Sequence, residues 1–239
     1  MKVALLLFGQ PRYIETQQAY DCYKHTILDK YDTDVFCHTW WDESIGEYDY
    51  STFSNISSCP INPDAISIIS KFYKPVRLLY EKPRKFKLQD HIAECFSKKF
   101  PTTANHSWQE KNYSNTLSHL YSIKMVTELL EAYCADTNKS YDWIVLARYD
   151  TVLDNFPDLN TIDPGKFYLS NQHPRFPDMI FVYGFKFIGW GKNIKDDIET
   201  EYNKVWEPSP ESFKYYSFVK RYDTKDITTY PMNAYAIRK

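Results

Sequence analysis

The six glycines of this 239-residue chain form neither a G-x-G-x-x-G nor a G-x-x-x-x-G-K-[ST] pattern. A dinucleotide fingerprint and a P-loop are therefore excluded. The five cysteines (Cys22, Cys37, Cys59, Cys95 and Cys134) are scattered and odd in number, with no C-x-x-C pair. That excludes the usual structural zinc spacing and points to reduced, buried thiols. Neither sign of charge dominates: 29 basic against 31 acidic residues leave a net of −2. Nothing in that balance recruits nucleic acid or an anionic membrane. No apolar run reaches the length of a membrane span. Val3–Phe8 is too short for a signal h-region and meets Gly9-Gln10-Pro11-Arg12 at once. The expectation is one soluble, cytoplasmic domain over 1–239, in the host cytoplasm if the source is viral. Its sequon Asn55-Ile56-Ser57 then carries no meaning. Repeats and low-complexity linkers are also missing.

What is present is aromatic. At 18%, with 21 tyrosines, these side chains suit a packed core, and they also suit stacking on sugar or base faces. Strand and helix signals alternate along the chain. Val3–Phe8 reads as a buried strand, 13–28 as a helix, and Thr33–Thr39 as a second strand ending in His38-Thr39-Trp40-Trp41. For His38 the expected role is a satisfied buried histidine; of the two tryptophans, one should anchor the core and the other line the cleft. Ser44–Cys59 reads as a loop, Pro63–Phe72 as a short helix, and Val76–Tyr80 as a third strand. Residues 84–113 read as an excursion with a short helix near His91–Phe96, and the basic run Lys82–Lys87 as solvated surface.

Asn115–Cys134 carries the strongest helical period, with Ile123, Met125, Val126, Leu129, Leu130, Tyr133 and Cys134 on one arc. Ser118, His119 and Ser122 share that arc in its first two turns. They would meet either a ligand at an anion-favouring helix start or neighbouring backbone groups. Lys124 pairs with Glu128 on the solvated side and is set aside as a phosphate ligand. Trp143–Ala147 then reads as a central buried strand, with Arg148 and Asp150 at its C-terminal end. Ligands of open α/β sheets sit outside the carboxyl ends of strands. Arg148 and Asp150 there would bind phosphate and metal, or else close the strand with a salt bridge. Further on come strands at Lys166–Ser170 and Asp178–Gly184, helices over 188–207 and from Pro210 to Tyr222, and a terminal strand from Ile227 to Ile237. The loop Asn171–Pro177 lies between the first two.

Together these features resemble the GT-A-type nucleotide-sugar glycosyltransferases, in particular the small ones of bacterial polysaccharide loci and large viruses. The matching pieces are Phe8-Gly9-Gln10-Pro11-Arg12, His38-Thr39-Trp40, Ser118 through Lys124, Arg148-Tyr149-Asp150, Asp178 with Tyr183-Gly184, and Ser209-Pro210-Glu211. The resemblance implies a GT-A-like (Rossmann-like) α/β fold with a mixed, mostly parallel sheet flanked by helices. Residues 1–150 would form the nucleotide-binding half and 151–239 the acceptor half. It implies transfer from a nucleotide sugar, a UDP-sugar by preference, to a glycan or other hydroxyl acceptor. Phe8, Gly9, Gln10, Arg12, Ser118, His119, Ser122, Arg148 and Tyr149 would contact the donor. Arg148-x-Asp150 stands where the family has D-x-D, which leaves Asp150 as the ligand for Mn²⁺ or Mg²⁺. An inverting course needs a carboxylate base, Asp178 first and Asp154 second, the former with a pKa raised by burial. A sugar nucleotidyltransferase and a catalytically silent carbohydrate-binding protein are the alternatives.

Overall fold

The computed structural model describes residues 1–49, 58–99, 106–170, 176–201 and 209–237. Eight residues from Lys2 to Gly9 form β1, and every side chain from Val3 to Phe8 is buried. Their unbroken apolarity reflects a strand covered on both faces. In chain order follow α1 (Gln18–Tyr23), β2 (Asp32–Trp40), β3 (Glu47–Asp49), β4 (Ser58–Pro60), α2 (Ala65–Tyr73) and β5 (Arg77–Glu81). Next come α3 (Asp90–Lys99), α4 (His106–Thr137), β6 (Trp143–Arg148), β7 (Thr151–Asp154), β8 (Phe167–Ser170) and β9 (Ile180–Gly184). The chain closes with α5 (Ile188–Glu201), α6 (Pro210–Val219), β10 (Ile227–Tyr230) and β11 (Asn233–Ala236).

Seven strands make the central sheet, in the order β10-β8-β9-β6-β1-β2-β5. All run in one direction except β9, which is antiparallel to both β6 and β8. The expected α/β class with a mostly parallel sheet flanked by helices is what the chain forms. Two pairings fix the site. Strand order grows from β1 through β2 to β5, then jumps back so that β6 lies on the other side of β1. And because β9 is reversed, the residues before it return to the edge where β6 ends: Ala147 pairs with Ile180, and the Arg148 amide donates to the Met179 carbonyl at 3.1 Å.

Alternation along the strands divides the core in two. Ala4, Leu6 and Phe8 on β1, with Ile144 and Leu146 on β6, face α4, α5 and α6. Val3, Leu5, Leu7, Trp143, Val145 and Ala147 face α1 and α2. Much of the aromatic excess is spent on the first of these cores. Phe167 stacks on Tyr183 at 4.7 Å and meets Phe176, Phe181, Phe187, Trp190 and Phe218 within 6 Å. Such pairs contribute about 0.5–1.5 kcal/mol each beyond their burial.

Several expected boundaries move. The helix expected over 13–28 is broken at Gln17, whose φ is +58°, and ends in a π-turn from Lys24 to Leu28. In that turn the Thr26 hydroxyl donates to the Cys22 carbonyl at 2.7 Å, a side-chain insertion of the kind that distorts helices. Part of the Ser44–Cys59 loop is a short antiparallel pair, β3 with β4, and its sequon lies outside the described residues. The terminal strand splits at Pro231 into β10 on the main sheet and β11 paired with β7. Proline cannot donate to a ladder, and the chain changes sheets there. Residues 171–175, and 202–207 of the expected 188–207 helix, lie outside the described residues.

The largest displacement is the start of α4, nine residues earlier than expected. Its added turns pack under the excursion, where Leu88 and Ile92 join Tyr113 and Leu117, and the Phe86 amide donates to Ser114 Oγ at 2.9 Å.

Candidate functional site

The edge formed by the ends of β1, β2 and β6 and the start of β9 carries a cluster of charged and polar side chains. Strand alternation decides which residues reach it. Arg148 follows Ile144 and Leu146 toward His119 of α4, whereas Tyr149 joins Val145 and Ala147 on the other face. Both oxygens of Asp150 are engaged by Arg148: Nε donates to Oδ1 at 2.8 Å and Nη2 to Oδ2 at 2.6 Å. The remaining nitrogen, Nη1, donates to Asp178 Oδ2 at 2.9 Å. The two carboxylates differ in access: the Asp150 side chain is 3% exposed and that of Asp178 is 38%. Salt-bridge closure of the strand, one of the two readings of the pair, is realised, and Asp178 is drawn into it.

Two more groups face this pair. His119, on α4, sets its ring edge-on to Phe8 at 5.1 Å, and its buried Nε2 has no partner among the described residues. Lys214, on α6, is fully buried and donates to the Pro177 carbonyl at 2.7 Å. It is held there by the anchoring of α6. Ser209 caps the helix by accepting the Ser212 amide at 3.3 Å, with Pro210 in the first turn where its missing N–H costs nothing. At the other end, buried Asp197 of α5 binds Ser217 at 2.6 Å and both terminal nitrogens of Arg221.

The electrostatics are those of a buried cluster in which the two cations Arg148 and Lys214 face the carboxylates Asp150 and Asp178. Burial pushes the Lys214 ammonium down to about 8, with Arg148 adding to the fall and Glu211 and Asp178 opposing it. For His119, burial and then Lys214 and Arg148 hold the pKa well below the ordinary value, so the ring is neutral at pH 7. Asp178 reverses the expectation of a raised carboxylate. Burial does push it up, but Arg148, Lys214 and His119 outweigh burial, and the net shift is downward. Arg148, despite a desolvation cost, is held more firmly protonated by Asp150 and Asp178.

The other residues expected at the site separate into distinct roles. Ser122 is not placed for a ligand. Its Oγ accepts the Gly9 amide at 2.8 Å and contacts His38 Nδ1 at 2.6 Å, and His38 Nε2 meets Glu81 at 2.9 Å. The Glu81 carboxylate only accepts, so Nε2–H of the neutral ring donates to it, and the bare Nδ1 accepts from the Ser122 hydroxyl, whose oxygen accepts the Gly9 amide. This chain joins β5, β2, α4 and β1. His38 is the satisfied buried histidine its sequence context suggests, with burial lowering its pKa against the pull of Glu81. Gly9 adopts φ +97° with open space where a Cβ would lie, so backbone conformation rather than crowding requires glycine there. Its amide belongs to Ser122, not to a ligand. Phe8 is 1% exposed and serves the core. Tyr149 lies on the opposite face, its hydroxyl 2.6 Å from Thr39 Oγ1, which corrects its assignment as a donor contact. Ser118 gives its carbonyl to Trp40 Nε1 at 3.3 Å. Because α4 begins at His106, Ser118, His119 and Ser122 sit in its interior, away from the anion-favouring helix start expected for all three. Gln10 has a buried side-chain oxygen without a partner among the described residues, and Arg12 acts electrostatically on Tyr48. Asp154 is exposed at the far end of β7, paired with Asn233, and stands near Cys22 of α1 instead. Trp40 is core, while the half-buried Trp41 donates to the Asn62 carbonyl at 3.1 Å. Lys124 binds Asp196 at 2.6 Å, in keeping with a surface role.

A divalent ion meets a donor set that does not fit it as folded. Both Asp150 oxygens already accept from the Arg148 guanidinium, whose positive charge opposes a cation there, and among the described residues no three His, Cys, Asp or Glu side chains are grouped for a metal. Lys214 is the residue missed from sequence. Its spacing with Phe213, Ser217 and Phe218 puts it on the apolar side of α6, and a lysine on such a face is the signal that would have found it. Among the described residues no helix is long and apolar enough to cross a membrane. No protein-family model matches the chain and no curated protein matches it, so the functional reading rests on these residues.

Proposed function

We propose that the chain is a glycosyltransferase of GT-A type that takes its sugar from a nucleotide-sugar donor, a UDP-sugar by preference, and delivers it to a glycan or other hydroxyl acceptor. The observation that carries the reading is where the charged cluster lies. Strand order reverses between β1 and β6, and Phe8 and Arg148 are paired neighbours across that point. Open α/β sheets bind ligands in the crevice at such a switch point. A cluster of Arg148, Lys214 and His119 beside the Gly9–Arg12 loop suits a diphosphate.

In the transfer, an acceptor hydroxyl oxygen bonds to the anomeric carbon as the bond from that carbon to the phosphate oxygen breaks. The electron pair leaves with the nucleoside diphosphate, and cations at the switch point stabilise the charge that develops on it. In an inverting course the acceptor proton goes to a carboxylate, and Asp178 is the one at this edge with solvent access. Asp154 lies on β7 near Cys22 of α1 and makes no hydrogen bond or ion pair with these groups among the described residues. An Mn²⁺ or Mg²⁺ ion held by Asp150 would compete with Arg148 for its oxygens and would supply charge stabilisation to the leaving diphosphate.

The test is a thermal-shift panel of UDP, GDP, CMP and ADP, each with and without Mn²⁺. A ligand at ~100 Kd stabilises by about 2.7 kcal/mol. Stabilisation by one nucleoside diphosphate, followed by hydrolysis of its sugar donor, is the expected outcome. Silence from every nucleotide would move the chain to the carbohydrate-binding class.

A further inference from the structure

We infer that an incoming diphosphate displaces Asp178 from Arg148, so that donor binding needs no divalent ion and itself frees the carboxylate to act as base. This deepens the proposed function and rests on it.

The geometry separates the two carboxylates on one guanidinium. Asp150 takes two nitrogens in a buried bidentate pair, and Asp178 takes the third through a single bond while its side chain remains 38% exposed. Bidentate pairs are the stronger and more directional. Asp178 is therefore the exchangeable partner, occupying with its own negative charge the position an external anion would take. The space beside it carries unspent capacity for that anion. Lys214 has three protons and, among the described residues, one acceptor, the Pro177 carbonyl, with no carboxylate within ion-pair distance. His119 presents a buried Nε2 with no partner. The Gly9 loop lies at the end of the adjoining strand, and both Asp150 oxygens already accept from Arg148. Positive groups that a metal would otherwise supply are thus already in place.

The consequence for the base follows from what holds it down. Arg148 and Lys214 are the cations that lower Asp178 against burial, which pushes it up. A phosphate that neutralises both removes that hold and leaves the burial. The carboxylate becomes more basic once the donor is in place, and only then.

Inorganic pyrophosphate is the probe for this inference, and UDP and GDP are the probes for the function beneath it, all titrated calorimetrically in EDTA and in Mn²⁺. Wild type should bind pyrophosphate in EDTA. Asp178→Asn removes the competing charge and should bind it roughly tenfold tighter, whereas Lys214→Met should bind at least about tenfold weaker. Binding only when Mn²⁺ is present, or an Asp178→Asn variant that binds no tighter than wild type, overturns the inference and leaves the glycosyltransferase reading standing. Pyrophosphate binding in EDTA without any nucleotide binding keeps the anion site and removes the proposed function. If Lys214→Met does not fold, His119→Phe takes its place as the weakened variant, and the wild-type titration in EDTA decides on its own.

Discussion

Removing the Asp150 carboxylate should unfold this protein more readily than any surface change, and the size of the loss follows from its surroundings. Its side chain is 3% exposed, and both its oxygens are bound by Arg148, itself mostly buried. Deleting one member of a buried pair costs about 3–5 kcal/mol, because the other charge stays behind without compensation. Here Asp178 still holds one nitrogen of the guanidinium, so the lower end, about 3 kcal/mol, is the figure for Asp150→Ala. At roughly 2–4 °C per kcal/mol for a chain of this size, the melting temperature falls by about 6–12 °C. Arg148→Met alone strands Asp150 and should cost a similar amount. The double variant removes the buried pair, leaves the part-exposed Asp178 to solvent, and should therefore lose clearly less than the sum of the two single variants. Urea melts followed by far-UV circular dichroism measure all four corners of the cycle. Additive single losses in the double variant, or an Asp150→Ala variant less than about 1 kcal/mol down, would refute the pairing on which the site is built.

Three further outcomes are expected. Ser122→Ala strands the Gly9 amide and the His38 ring nitrogen together, and equilibrium denaturation should show a loss of about 1–3 kcal/mol. Gly184→Ala and Gly9→Ala should separate cleanly in the same assay. A Cβ at Gly184 would lie 2.0 Å from the Pro164 carbonyl oxygen, which forces the backbone to move, whereas at Gly9 nothing is within 4 Å and only the positive φ costs, about 1 kcal/mol. Stability against pH should carry the mark of Lys214. With a folded pKa of about 8 against 10.5 unfolded, the unfolded chain binds more protons between those values, so stability rises with pH across that window by up to about 3 kcal/mol. Lys214→Met should flatten that rise. Asp178 works at the acid end: its contribution is present above about pH 4 and is lost as pH falls toward its depressed folded value.

Much of the sheet was legible because buried parallel strands are unbroken apolar runs, and Val3–Phe8 and Trp143–Ala147 announce themselves that way. Period two applied through 148–149 also sorts Arg148 from Tyr149, although a motif read as a triplet hides it. The start of α4 was not legible. His106 to Ser114 carries few apolar residues, and its cover comes from an excursion without a period of its own. That error promoted Ser122 from a tie between elements to a ligand contact. The pKa of Asp178 was out of reach for another reason: its sign depends on Lys214, 36 residues away along the sequence, and on the reversed strand that brings the carboxylate back to Arg148.

That reversal also has a bearing on the order in which the chain assembles. Arg148 and Asp178 are 30 residues apart, while the Gly9–Ser122 bond closes 113. Loop-closure entropy grows as (3/2)RT ln n, so the longer closure costs roughly 1.2 kcal/mol more before any contact compensates it. The β6–β9 ladder, antiparallel and comparatively local, can form while β1 is still finding its place. In a kinetic experiment, substitutions at Val145 or Val182 should slow refolding, and those at Ser122 should chiefly speed unfolding. That outcome would have the guanidinium meet its two carboxylates before the Gly9 loop closes over β1.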